Sequence, residues 1–72
     1  MINKINIQLG QRVKELRNKR GITQEKLAEL TKTSYKYIQR IEGKTNPPDV
    51  RLSTIEKIAK ALKVSIGKLI DR

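Results

Sequence analysis

Tyr35, Lys36, Gln39 and Arg40 are the residues of this chain whose types and spacing could do chemistry on a partner. On a helix they fall together, on the side away from Ile38 and Ile41. Glutamine presents a donor and an acceptor side by side, arginine and lysine present donors only, and tyrosine carries a hydroxyl on a flat ring. These groups recognise a partner; they are not a set that makes or breaks bonds. The 72 residues contain no histidine and no cysteine, so the commonest general base, the thiolate nucleophile and the usual zinc ligands are missing. The 7 carboxylates are scattered and form neither a nucleophile–base pair nor a metal cluster. No catalytic residue, metal or cofactor is expected.

Lysine and arginine number 17 against 7 aspartate and glutamate, a formal charge of +10. Such an excess calls for a polyanionic partner, nucleic acid first and an anionic membrane surface second. No run of 18 apolar residues and no apolar leader segment occurs. A membrane-surface peptide would need a broad apolar face left open, yet every apolar stripe here has another helix to cover it. A cytoplasmic chain without membrane or small-molecule partners is the expectation.

The elements that must hold the four residues follow from periodicity. Residues 1–6 read as a short arm and residues 7–72 as one domain. From Ile7 an amphipathic helix buries Leu9, Val13 and Leu16, and Gly21 ends it by taking the left-handed conformation. Thr23 caps a second helix with Leu27 and Ala28 inward. After the link 31–33, Ser34 caps a third helix running to Glu42, with Ile38 and Ile41 inward and Tyr37 half-buried. The loop 43–51 holds paired prolines, which forbid helix there. Ser53 with Glu56 fits a capping box for a fourth helix starting near Leu52, whose stripe is Ile55, Ile58, Ala59 and Leu62. Ser65 caps a last short helix carrying Ile66, Leu69 and Ile70. The fold class is all-α, five helices around one aliphatic core.

A helix–short turn–helix corner over residues 23–42 holds its second helix proud of the surface. A protruding helix fits the major groove of B-DNA, about 12 Å wide. There glutamine can bond adenine through two atoms, arginine or lysine can do so with guanine, and a tyrosine ring can meet a thymine methyl. A polar helix face alone is ordinarily just solvated. The corner before it and the large positive charge make it a candidate base-reading face.

Residues 9–70 resemble the Cro/C1-type (XRE) helix-turn-helix family of phage repressors, Cro proteins and restriction-modification controller proteins. The resemblance rests on "LGQRVKELRNKRGITQEKLAEL", "YIQRIEGK" and "LSTIEKIAKALKVSIGKLI". It implies a compact five-helix domain of the lambda-repressor-like type, with residues 34–42 as recognition helix and homodimers on pseudo-palindromic double-stranded DNA operators. Tyr35, Lys36, Gln39 and Arg40 then match the variable base-contacting positions. Gln24 matches a glutamine that reaches phosphate and braces the recognition helix. Ser34, Tyr37, Lys44, Thr45 and Arg17 complete the candidate phosphate contacts, and Arg17 with Glu42 matches an ion pair whose main role is to clamp the fold. The function implied is a sequence-specific transcriptional regulator, repressor or controller-like. An antitoxin-type interaction module in which DNA binding is secondary is the alternative.

Two positions depart from the family pattern. Lys32 stands where the turn usually holds glycine, so a positive φ is expected there at about 1 kcal/mol. Thr33 stands where an aliphatic residue is usual and leaves a hydroxyl in need of a partner. For dimerisation, Ile66, Leu69 and Ile70 are the candidate contacts, being large aliphatics in a segment too short to bury them all.

Overall fold

A computed structural model of the chain describes residues 4–70. Its elements are α1 (Lys4–Lys19), α2 (Gln24–Thr31), α3 (Tyr35–Glu42), α4 (Leu52–Leu62) and α5 (Ile66–Ile70), with no strand among the described residues. The expected arm is corrected in part: residues 4–6 form the first turn of α1, and residues 1–3 lie outside the described residues. Asn6 gives a local reason, because its Nδ2 donates to Asp49 Oδ1 at 2.5 Å and ties that turn to the α3–α4 loop.

The stripes read from the sequence meet in one aliphatic core. Val13, Leu27, Ile38, Ile41, Ile58, Leu62 and Leu69 are buried to 1% exposure or less, and Leu9, Leu16, Ala28, Ile55 and Ala59 surround them. Burying side chains of this size stabilises by about 1.5–3 kcal/mol each, which a chain without Phe, Trp or Cys needs. Helix α3 packs between α1 and α2, α4 backs α2, and α5 closes against α1 and α4.

Three helices end in the same way. Gly21 (φ 67°), Lys32 (φ 56°) and Lys63 (φ 58°) take the left-handed conformation. In each turn the next residue's N–H bonds back to a carbonyl five residues earlier: Ile22 to Arg17, Thr33 to Ala28, Val64 to Ala59. Gly21 and Lys32 match expectation, and Lys63 adds a turn that the residue type did not announce. The hydroxyl of Thr33 finds its partner in Thr31 Oγ1 at 2.9 Å. Thr31 belongs to the end of α2 and is buried, its own hydroxyl donating to Leu27 O at 2.8 Å.

The caps of α2, α3 and α5 are as expected: Thr23 Oγ1, Ser34 Oγ and Ser65 Oγ accept from the N–H groups of Lys26, Tyr37 and Lys68. The capping box of α4 is a correction. Its N-cap is Arg51, without a side-chain bond, and Ser53 lies inside the first turn. Val50, packed against the core, brings the chain back from the proline loop, and α4 starts at Leu52 as expected, one residue before Ser53.

Gly10 sets how near α1 comes to the end of α3. It is buried mid-helix, and a Cβ there would collide with the Ile41 carbonyl. Gly10→Ala should therefore destabilise by roughly 1–3 kcal/mol, although alanine is the better helix former. Urea denaturation of the two proteins measures this. Equal or higher stability in the variant would mean that α1 does not need this approach.

Candidate nucleic-acid interface

The outward face of α3 is built from its inward one. Eight residues make an isolated helix too short to persist, so its orientation comes from packing. Ile38 and Ile41 anchor one side, and Glu42, next to Ile41, turns inward with only 5% exposure. Tyr35, Lys36, Gln39 and Arg40 are left together on the exposed side. Neither Lys36 nor Arg40 pairs with a carboxylate among the described residues. Gln39 Nε2 donates to the Tyr35 hydroxyl at 3.1 Å, one turn away.

Glu42 is the fixed point of the corner. Its Oε2 accepts from Arg17 Nε at 2.8 Å, and its Oε1 accepts from Arg17 Nη2 and Gln24 Nε2, both at 3.0 Å. Its backbone carbonyl accepts from Gln11 Nε2 at 3.0 Å. One residue thus ties α3 to α1 through Arg17 and Gln11 and to α2 through Gln24. Arg17 Nη1 donates onward to Ile22 O at 2.7 Å, holding the α1–α2 turn. Fork-to-fork pairing of this kind is the strong form of the charged hydrogen bond. It also keeps the one carboxylate of α3 away from the outer face.

The structure sorts the remaining sequence candidates. Ser34, Lys44 and Thr45 are exposed beside α3, Ser34 at its N-cap and the other two in the loop that follows it. Tyr37 is half-buried against the core and keeps part of its surface outside. Gln24 is half-buried and braces Glu42. Arg17 is only 8% exposed and each guanidinium nitrogen is engaged internally. This is the geometry of a clamp, and it leaves Arg17 little surface outside. Leu69, at 1% exposure, is part of the core floor and cannot meet a second copy, whereas Ile66 and Ile70 are 38% and 57% exposed. Sequence reasoning missed Gln11, Gly10 and Thr31. Gln11 and Gly10 act through the path of α1 across α3, for which periodicity carries no signal.

Not every cation serves the surface. Arg12 Nε donates to Lys68 O at 2.9 Å, and Arg20 Nη2 donates to Lys63 O at 3.1 Å. Both bonds place a positive charge at the negative end of a helix.

A family model described as a helix-turn-helix domain matches residues 10–72. The chain belongs to this family. It is 42% identical over 72 residues to the control protein C.BamHI of Bacillus amyloliquefaciens, covering 99% of this chain and 86% of that protein. The crystal structure of the restriction-modification controller protein C.AhdI from Aeromonas hydrophila superposes with a TM-score of 0.85 at 33% identity, over 93% of this chain and 98% of that one. The biofilm master regulator SinR, solved in complex with DNA, has a TM-score of 0.79 at 30% identity, over 88% and 98% of the two chains. The five-helix fold and the resemblance to Cro/C1-type regulators read from the sequence agree with these relatives.

The Arg17–Glu42 clamp gives a double-mutant test. Arg17→Met or Glu42→Leu alone leaves a buried charge without its partner and should cost about 3–5 kcal/mol. Both changes together should cost less than the sum, as measured by denaturant titration. Additive losses would mean that the two side chains act independently.

Proposed function

We propose that this helix-turn-helix protein is a sequence-specific transcriptional regulator of the controller or repressor kind, laying α3 in the major groove of double-stranded DNA. The observation that carries the reading is the division of α3 into two faces. One is locked into the core by Ile38, Ile41 and Glu42, and the other presents Tyr35, Lys36, Gln39 and Arg40 without a carboxylate among them. Relatives named as controller proteins, and one solved with DNA, support it.

Roles follow from chemistry. Arg40 and Lys36 offer donors to guanine O6 and N7, Gln39 suits adenine, and Tyr35 offers a ring and a hydroxyl. Ser34, Tyr37, Lys44 and Thr45 flank this face and take phosphates, with Gln24 using the N–H that Glu42 leaves free. Arg17 is assigned to the clamp alone. No catalytic step and no cofactor is assigned, and work on DNA fits a place in the cytoplasm.

Replacing Arg40 by alanine should cost roughly 1–3 kcal/mol at one operator position and relax the preference there. Lys44→Ala should instead weaken binding to every sequence alike and flatten the slope of log K against log salt by about one unit. Fluorescence anisotropy on operator and scrambled duplexes at several salt concentrations separates the two patterns. Arg40→Ala that lost affinity equally on all sequences would take base reading away from α3.

A homodimer on a two-fold operator completes the proposal. The longest dimension of the domain is 31 Å, while successive major-groove faces on one side of the duplex lie about 34 Å apart. One copy therefore reads one half-site. Ile66 and Ile70, one turn apart on the exposed side of α5, are the proposed contact. Charge repulsion between two such basic copies favours assembly on DNA rather than off it. Ile70→Glu should abolish cooperative filling of two half-sites and leave the circular-dichroism melt of the monomer unchanged. Retained cooperativity would place the contact elsewhere.

A further inference from the structure

We propose that Tyr35 is a positioning residue for Gln39, and that the pair, reading as one unit, selects adenine over guanine. This rests on the base-reading role of α3 proposed above. The bond from Gln39 Nε2 to the Tyr35 hydroxyl, at 3.1 Å, joins two side chains that are both exposed on the candidate reading face. No carboxylate bridges this face, since the ion pairs among the described residues lie within α1, within α2 and at the Arg17–Glu42 clamp.

The consequence lies in what the amide has left to offer. A glutamine side chain has two N–H donors and one carbonyl acceptor. Alone and solvated, it can turn both donors toward a base or present one donor beside the acceptor. Two donors suit guanine, whose major-groove edge has acceptors at N7 and O6. A donor beside an acceptor suits adenine, whose edge has the N7 acceptor and the N6 amino donor. Tyr35 engages one Nε2 hydrogen. The free edge of Gln39 is then Oε1 with the remaining N–H, which matches adenine and sets Oε1 against guanine O6. Because the phenol oxygen accepts this bond, its own hydrogen points to another acceptor, a phosphate or a neighbouring base edge. Tyr35 thus acts on two partners at once, and Phe at this position would keep the ring but lose the orienting oxygen.

Binding-site selection from random duplexes tests this with the parent, Gln39→Ala, Tyr35→Phe and the variant carrying both changes. Gln39→Ala should erase an adenine preference at one position. Tyr35→Phe should shift the adenine-to-guanine ratio at that same position toward guanine by about three- to tenfold, the worth of one hydrogen bond. The combined variant should be no more relaxed there than Gln39→Ala alone. If Gln39→Ala relaxes a position that Tyr35→Phe leaves unchanged, or if the two effects multiply, the side chains read independently and the inference is overturned. If Gln39→Ala changes no position, Gln39 reads no base and the pair falls with it. An accompanying lack of effect from Arg40→Ala would show that the fault lies in the reading of α3 as a whole.

Discussion

The carboxylate of Glu42 is the constraint on which the rest of this small domain depends. A charged group with 5% exposure is costly unless both of its oxygens find donors. Here Arg17 supplies two donors and Gln24 a third. Satisfying that one group requires α1, α2 and the end of α3 to arrive at the same place. The pair is not a large source of net stability, since apolar replacements of buried pairs are often neutral or better. What it supplies is geometry: it fixes the rotation of α3 about its own axis. A rotation error in so short a helix would carry Tyr35, Lys36, Gln39 and Arg40 off the outer face together.

The positive charge of the chain divides into two uses. Arg17 neutralises Glu42, while Arg12 and Arg20 bond the carbonyl ends of α5 and α4. These three hold elements in place. Lys36, Arg40 and Lys44 are exposed on and just after α3 and take part in no ion pair among the described residues. The net charge of +10 already counts Arg17 against Glu42 and sets the overall attraction to a polyanion, while the location of the unengaged cations says where that partner is met.

Stability is traded locally for shape at the helix ends. Lys32 and Lys63 hold left-handed backbone that glycine would hold without the Cβ clash. The Thr31–Thr33 hydroxyl pair replaces aliphatic packing in the corner by a hydrogen bond. The two left-handed lysines cost about 1 kcal/mol each, which the aliphatic core can absorb. The match to the restriction-modification controller C.AhdI at 33% identity shows that the same fold tolerates wide sequence change, as expected when a fold is set by pattern.

The sequence by itself determined the helices, their order and most of their faces, because periodicity and caps are local. Ile55, Ile58, Ala59 and Leu62 read as one stripe, Gly21 as a stop and Ser34 as a start, and the outward set on α3 followed from Ile38 and Ile41. The pairing of Arg17 with Glu42 was legible through resemblance to a family rather than through spacing. Tertiary structure alone decided what depends on distance between elements. It buried Leu69 while leaving Ile66 and Ile70 outside, since five residues of α5 meet α1 and α4 on one side only. It set Gly10 against the Ile41 carbonyl, turned Gln11 to the end of α3, and left α4, which starts at Leu52 as expected, without the box that Ser53 and Glu56 spelled. The bond from Gln39 to Tyr35 stands on the local side of this division, because it joins two exposed side chains one turn apart on the same helix.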